Sequence, residues 1–140
     1  MSSQWQIFTD GGSRGNPGQA ACAFSIQFGD VELFYQSHFL GVKTNNEAEY
    51  WGLINSIEFV LDQSNYSTPP SSYAWNLDSK LVVEQTLGNW KIKEARLRPL
   101  VEKAQDLLSQ LPGEFTVQHI PREKNARADR LVNECLDMSI

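Results

Sequence analysis

Several things are scarce in this sequence, and each scarcity closes off a class of protein. Its 140 residues include two cysteines and two histidines. Cys22 lies in an apolar strand-like run and Cys135 in a helical one, far apart and in neither metal-ligand nor redox spacing. A disulfide framework and a thiol-based metal or redox centre are therefore excluded, and both residues are expected as buried free thiols. No apolar run approaches the roughly 20 residues that a membrane-crossing helix needs. The start, Met1-Ser2-Ser3-Gln4-Trp5, has neither the basic nor the apolar segment of a secretory leader. The expectation is a soluble, cytoplasmic chain. Basic residues are scarce in the first half, where Arg14 and Lys43 stand alone, while the other ten of twelve fall between Lys80 and Arg130. Repeats and low-complexity segments are absent too, and 41% hydrophobic with 21% charged residues fits one domain over 1–140 with a real core.

The charge skew matters more than the total. A net charge of -5 argues on its face against a nucleic-acid partner. Yet Lys91, Lys93, Arg96 and Arg98 bracket Trp90 and Ile92, and Arg122, Lys124, Arg127 and Arg130 surround a candidate helix start. A basic stripe opposite an acidic centre can receive a phosphate backbone that approaches bound cations.

Periodicity predicts the order βββαβααβα. Strands are expected over Trp5–Gly12, Ala20–Phe28 and Val31–Leu40, with turns at Gly15-Asn16-Pro17-Gly18 and Gly29-Asp30. A helix follows over Asn45–Asp62, with Tyr50, Leu53, Ile54, Ile57, Val60 and Leu61 on one face. After a polar loop with Pro69 and Pro70 come a strand, Tyr73–Leu77, and a helix opened by Asp78 and Ser79 and ending near Leu87. A further helix carries Leu97, Leu100, Val101, Ala104, Leu108 and Leu111 and stops before Pro112-Gly113. Phe115–Ile120 is the last strand, and Asn125 is expected to cap a closing helix with Ala128, Leu131, Val132 and Cys135 inward. Such an order builds a five-stranded mixed α/β sheet, an antiparallel meander of three strands joined by two parallel strands, with helices on both faces.

The most informative stretch is Lys43-Thr44-Asn45-Asn46-Glu47-Ala48-Glu49-Tyr50, which crowds two amides and two carboxylates into the first turn of an apolar helix. Thr44 and Glu47 are spaced as a capping box, so Glu47 has a structural task. Glu49 has no capping partner and sits at the edge of the apolar stripe. Asp10 lies late in the first strand, Asp78 directly follows the fourth, and Asp129 is in the first turn of the closing helix. Singly, these read as a turn residue, a helix cap and a partner for the helix dipole. Together with Glu49 they are four acids at element ends that a small mixed sheet can gather at the carboxyl ends of its strands. Carboxylates so gathered resist ionising together unless cations join them. Oxygen ligands suit hard ions such as Mg²⁺ or Mn²⁺, which also bind substrate phosphates.

Four ordered segments carry a family resemblance: Phe8-Thr9-Asp10-Gly11-Gly12-Ser13-Arg14-Gly15-Asn16-Pro17-Gly18, Thr44-Asn45-Asn46-Glu47-Ala48-Glu49-Tyr50, Asp78-Ser79-Lys80, and Pro121-Arg122-Glu123-Lys124-Asn125-Ala126-Arg127-Ala128-Asp129. In this order they resemble the successive motifs of type 1 ribonuclease H. The resemblance implies the ribonuclease H fold and cleavage of the RNA strand of an RNA:DNA hybrid, leaving 5′-phosphate and 3′-hydroxyl ends. It implies Asp10, Glu49, Asp78 and Asp129 as ligands of two Mg²⁺ ions, replaceable by Mn²⁺, with Asp10 bridging. One ion lowers the pKa of the attacking water and the other stabilises the leaving oxygen. It further implies that Gly11, Gly12, Ser13, Asn45 and Asn46 read the 2′-hydroxyl groups in the minor groove, that Asn16 and Thr44 hold a DNA phosphate, and that Ser79 and Lys80 touch the RNA strand.

Two departures from the family pattern stand out. The connection Gly88–Lys93 is too short for the basic handle of many bacterial members, leaving Asn89, Trp90, Lys91 and Lys93 as local substitutes, with Trp90 either stacking on substrate or packing inward. Weak, salt-sensitive binding by a monomer is expected. Secondly, Arg122 stands where many members place a histidine, and it can bind phosphate but hardly shuttle protons. His119 alternates with Phe115 and Val117 and is expected to pack. Three rivals remain: a metal-dependent DNA nuclease or resolvase, a non-catalytic hybrid-binding module on the same fold, and a structural interaction domain in which the acids are coincidental.

Overall fold

The computed structural model describes residues 3–64 and 68–138. Among them run five strands, β1 (Gln4–Gly15), β2 (Gly18–Phe28), β3 (Val31–Lys43), β4 (Ser72–Leu77) and β5 (Glu114–His119). Four α-helices, α1 (Asn45–Gln63), α2 (Lys80–Thr86), α3 (Arg98–Leu108) and α4 (Ala126–Met138), and short 3₁₀ turns at Ala95–Leu97 and Arg122–Lys124 are the other elements among the described residues. The sheet order is β3-β2-β1-β4-β5, antiparallel on the β1–β2–β3 side and parallel from β1 through β4 to β5. That is the expected mixed sheet.

The strands outrun their sequence expectation at the hairpin. β1 continues to Gly15, whose positive φ of 93° lets the chain turn within Asn16-Pro17. Its neighbours differ in length, and this creates the site. β4 pairs with β1 only from Gln4 to Thr9, ending at Leu77 opposite Thr9, whereas β2 follows β1 to Gly15. Beyond Thr9 one edge of β1 is thus open, and Asp10 and Asp78 are the next residues on either side of the gap.

Apolar burial fixes the layers. Ile7, Phe24, Ile26, Tyr50, Leu53, Ile57, Trp75 and Leu77, with side chains of α2 and α3, form the main core on the α1 side of the sheet. Ala21 and Ala23 meet Leu131, Val132 and Leu136 on the opposite face, where small residues let α4 lie close. Cys22 is fully buried as expected, but Cys135 is only half-buried at the margin of this second cluster, and no disulfide joins them. The α1 apolar face is as read, except that Leu61 is half-buried. α3 ends at Leu108, so Leu111 lies beyond it.

α1 and β1 meet backbone to backbone. A Cβ on Gly11 would stand 2.1 Å from the carbonyl oxygen of Ala48, and one on Gly52 would stand 2.6 Å from that of Asp10. Both glycines let α1 press directly on β1. A Cβ on Gly12 would meet only Val132 Cγ1 at an ordinary 3.9 Å. Gly11→Ala and Gly52→Ala should therefore each destabilise by about 3 kcal/mol or more, the upper range for overpacking, and Gly12→Ala by less than about 0.5 kcal/mol. Urea unfolding of the three variants checks the ranking; similar losses for all would mean that α1 yields easily.

Candidate active site

At the carboxyl ends of β1 and β4 lies a cavity of about 450 Å³ whose lining includes Asp10, Glu49, Asp78 and Asp129 together with Ser13, Asn45 and Arg122. Ligand oxygens of Asp10, Glu49 and Asp78 lie within 4.8 Å of one another. Asp129, from the first turn of α4, lines the same cavity outside that trio, 3.8 Å from the guanidinium of Arg122.

The two acids of α1 have separate positions. Thr44 Oγ1 accepts from the Glu47 N–H at 3.2 Å, and Glu47 Oε1 accepts from the Thr44 N–H at 2.9 Å, closing the capping box. Glu49, two residues on and so on the opposite side of the helix, is 8% exposed and accepts from the Gly11 N–H at 3.2 Å through Oε1. Its Oε2 is buried with no donor facing it. Asp10 is 6% exposed. Burial, and secondarily the charges of Asp78 and Asp129, pushes its carboxyl up to about 6 against a favourable interaction with Glu49. Burial and the neighbouring Asp10 hold Glu49 well above the usual carboxylate range. Two buried acids with an orphaned oxygen need either a shared proton or a cation. A hard divalent ion fits this oxygen-only donor set.

The remaining residues divide. Asn45 Oδ1 accepts from both Ser13 N–H (2.9 Å) and Ser13 Oγ (3.0 Å), which turns its amide group to the cavity rim beside Gly11 and Gly12. Asn16 Oδ1 accepts from the Asn45 N–H at 3.0 Å, so Asn16 and Thr44 flank the α1 N-terminus. Asn46 is elsewhere. Its amide donates to Glu94 at 3.3 Å, and it lines a separate groove of about 530 Å³ with Trp90, Lys91 and Lys93. Trp90 is 44% exposed there, which excludes a core role. Ser79 caps α2 by accepting from the Val82 N–H at 3.3 Å, so the helix cap is Ser79 and not Asp78. Lys80, the first residue of α2, is exposed.

Three sequence expectations fail here. His119 does not pack: β5 is an edge strand, only Val117 of the alternating trio is buried, and His119 is exposed at the strand end opposite Leu77. The basic stripe is partly spent, since Arg127 binds Glu32 at 2.9 Å over the Tyr35 ring and Arg130 pairs with Glu134. Asn125 does not cap α4 with its side chain; Nδ2 instead donates inward to Thr9 O (2.8 Å) and Asp78 Oδ2 (3.1 Å). Sequence reading also missed Arg14, which lines the cavity and clamps α4 through Asp137 at 2.6 Å, and Gly52. Nothing in the spacing of either marks it.

Comparison with known proteins bears on this arrangement. A family model described as "Reverse transcriptase-like" matches residues 8–135. The chain superimposes on a crystal structure of LC11-RNase H1 in complex with RNA/DNA hybrid with a TM-score of 0.89 at 37% identity, covering 96% of this chain and 98% of that one. The chain belongs to the type 1 ribonuclease H family. It is also 36% identical over 131 residues to "Ribonuclease HI" of Halobacterium salinarum, covering 93% of this chain and 63% of that protein. "Bifunctional protein Rv2228c" of Mycobacterium tuberculosis is 39% identical over 133 residues, 94% of this chain but only 35% of its own length, so the chain spans about a third of that relative. Membership in the ribonuclease H family implies a divalent-metal requirement, which the acid cluster can meet. No helix among the described residues is long and apolar enough to cross a membrane.

The raised acids make stability depend on pH in the unusual direction. With a folded pKa of about 6 against an ordinary 3.8, Asp10 keeps its proton in the native chain after the unfolded chain has lost it. Metal-free stability should therefore fall as pH rises from about 4 through 6, by about 3 kcal/mol from this group, with Glu49 extending the loss upward. Asp10→Asn should flatten the profile. Urea unfolding in chelator at pH 4.5 and pH 8 measures it; a stability that rises over this interval would place the two acids in water.

Proposed function

We propose that the protein is an endoribonuclease that hydrolyses the RNA strand of RNA:DNA hybrids, working as a monomer with two Mg²⁺ ions, for which Mn²⁺ substitutes. One observation carries the reading: Asp10, Glu49 and Asp78 converge within 4.8 Å, two of them buried, with Asp129 lining the same cavity. These four carboxylates would hold the ions, which supply an ionised water and charge for the leaving oxygen. A bound divalent cation would satisfy the orphaned Glu49 Oε2 while keeping the cluster ionised at neutral pH.

The chain's own groups do the rest. The Asn45 amide, held by Ser13, and the bare backbone at Gly12 suit close approach to a sugar 2′-hydroxyl, whereas Gly11 is buried with its bare face on Ala48 and its N–H on Glu49. Asn16 and Thr44 accept from α1 N–H groups, so their own donors, the Asn16 amide and the Thr44 hydroxyl, remain for a phosphate beside a helix N-terminus. Across the α1 N-terminus, Asn46, Trp90, Lys91 and Lys93 offer a ring and two cations to the same substrate. Ser79 and Lys80 border Asp78 on the RNA side. Arg122, exposed and opposite Asp129, would hold the scissile phosphate without exchanging protons. Support for the hybrid as substrate comes from the related RNase H1 that was crystallised with one.

Cleavage of a labelled hybrid beside duplex DNA and duplex RNA, with and without Mg²⁺, tests the reading. Metal-dependent cutting of the RNA strand alone is expected; preference for duplex DNA would favour a nuclease of the resolvase kind, and binding without cutting a passive module. Asp10→Asn and Glu49→Gln should each lose more than about 100-fold in rate, beyond what loss of an outer-shell partner costs, while still binding hybrid. Glu47→Gln should stay active, because Gln also closes a capping box. Arg122→Ala should cut slowly at saturating hybrid and Mg²⁺, whereas His119→Ala, exposed as it is, should keep its stability within about 0.5 kcal/mol. Equal rate losses at Glu47 and Glu49 would undo the assignment of the helix acids.

A further inference from the structure

Asn125 is 1% exposed and its environment is asymmetric. Its backbone is fixed from both sides: its N–H donates to Arg122 O at 2.9 Å, and its carbonyl accepts from the Asp129 N–H at 3.1 Å, opening α4. An asparagine so placed ordinarily turns Oδ1 back to accept from the first turn of its helix. Here Oδ1 is buried with no partner. The side chain forfeits the cap and serves only through Nδ2, whose two hydrogens go to Thr9 O at 2.8 Å and Asp78 Oδ2 at 3.1 Å.

These two acceptors belong to the two halves of the open seam. Thr9 is the last β1 residue paired with β4 and immediately precedes Asp10, and Asp78 is the first residue after β4. Asn125 itself stands one helical turn before Asp129. A single amide thus ties together the chain segments that carry three of the four acids. A lysine or arginine there would neutralise Asp78, and a serine or threonine has one hydrogen to give. The amide engages one oxygen of Asp78 and leaves the carboxylate its full charge.

We infer that Asn125 is a positioning residue for the metal site, setting Asp78 against Asp10 so that the acids meet a divalent ion without rearrangement. The inference rests on the ribonuclease reading above. Outer-shell hydrogen bonds of this kind orient ligands, and losing one costs about 10- to 100-fold in metal affinity. Asn125→Ala and Asn125→Leu both remove the donors, the second while keeping the branched shape of the side chain. Mn²⁺ binding measured by calorimetry should weaken about tenfold or more in each, and the Mg²⁺ concentration for half-maximal hybrid cleavage should rise in parallel, with the rate at saturating Mg²⁺ recovering to within a few-fold of the parent. Urea unfolding in chelator separates this from a purely structural role, which would lower stability and leave Mn²⁺ affinity unchanged. Parental metal dependence in either folded variant, or failure of both to fold, overturns the inference. If the parent protein neither binds Mn²⁺ nor cuts hybrid, the ribonuclease reading falls instead.

Discussion

The direct contact of the α1 backbone with the end of β1 is the constraint on which the site depends. Gly11 and Gly52 leave no side chain between Ala48 and the strand, and the approach buries Glu49 against Asp10. Burying two acids together is unfavourable for a fold, and the hydrophobic layer beneath supplies the compensation: Tyr50, Leu53, Ile54 and Ile57 are all fully buried on the same helix. Tyr50 Oη donates to Gln85 at 2.7 Å, and Trp75 Nε1 donates to Ser56 at 2.8 Å, so these two aromatic donors are matched across α1, α2 and β4. A rigid base of this kind is what allows an unsatisfied carboxylate oxygen to persist above it.

What the sequence revealed followed from period and spacing. The helix α1, its capping box and the separation of Glu47 from Glu49 were legible because each depends on residues three or four apart. The mixed sheet was legible from element order. Contacts set by strand length were not. That β1 outruns β4, opening the seam between Asp10 and Asp78, depends on where pairing stops, which no local signal in β1 records. Asn125 reads as a cap because it precedes a helix; only the packed structure turns its amide to Thr9, 116 residues away in sequence. His119 was misread for a related reason, since alternation predicts a face but not how far along an edge strand the helices cover it.

Electrostatics divides the molecule unevenly. Arg127 and Arg14 are held by Glu32 and Asp137 and so brace α4 against β3 and β1, whereas Arg130 pairs with Glu134 within α4. Among these, Arg127 lies over Tyr35 at 4.8 Å and anchors an otherwise exposed ring. Arg96 reaches Glu47 at 3.7 Å, with its own side chain 61% exposed. Lys91 and Lys93 beside Trp90 form the cationic group bordering the α1 N-terminus. With a net charge of -5, attraction of a phosphate backbone depends on local fields such as this one and on cations held by the acids.

The same acids that oppose folding in the metal-free chain are what the site requires. Each feature that holds them, the glycine contact, the Gly11 N–H on Glu49 and the Asn125 amide on Asp78, fixes position without cancelling charge. Of the two cations lining the cavity, Arg14 is engaged by Asp137 and Arg122 is kept at the rim and solvated, 3.8 Å from Asp129. A guanidinium buried among Asp10, Glu49 and Asp78 would relieve their repulsion and stabilise the fold, but it would also occupy the space and charge that a divalent ion needs. The polar contacts around the cluster are accordingly neutral donors, so the repulsion remains available to bind metal.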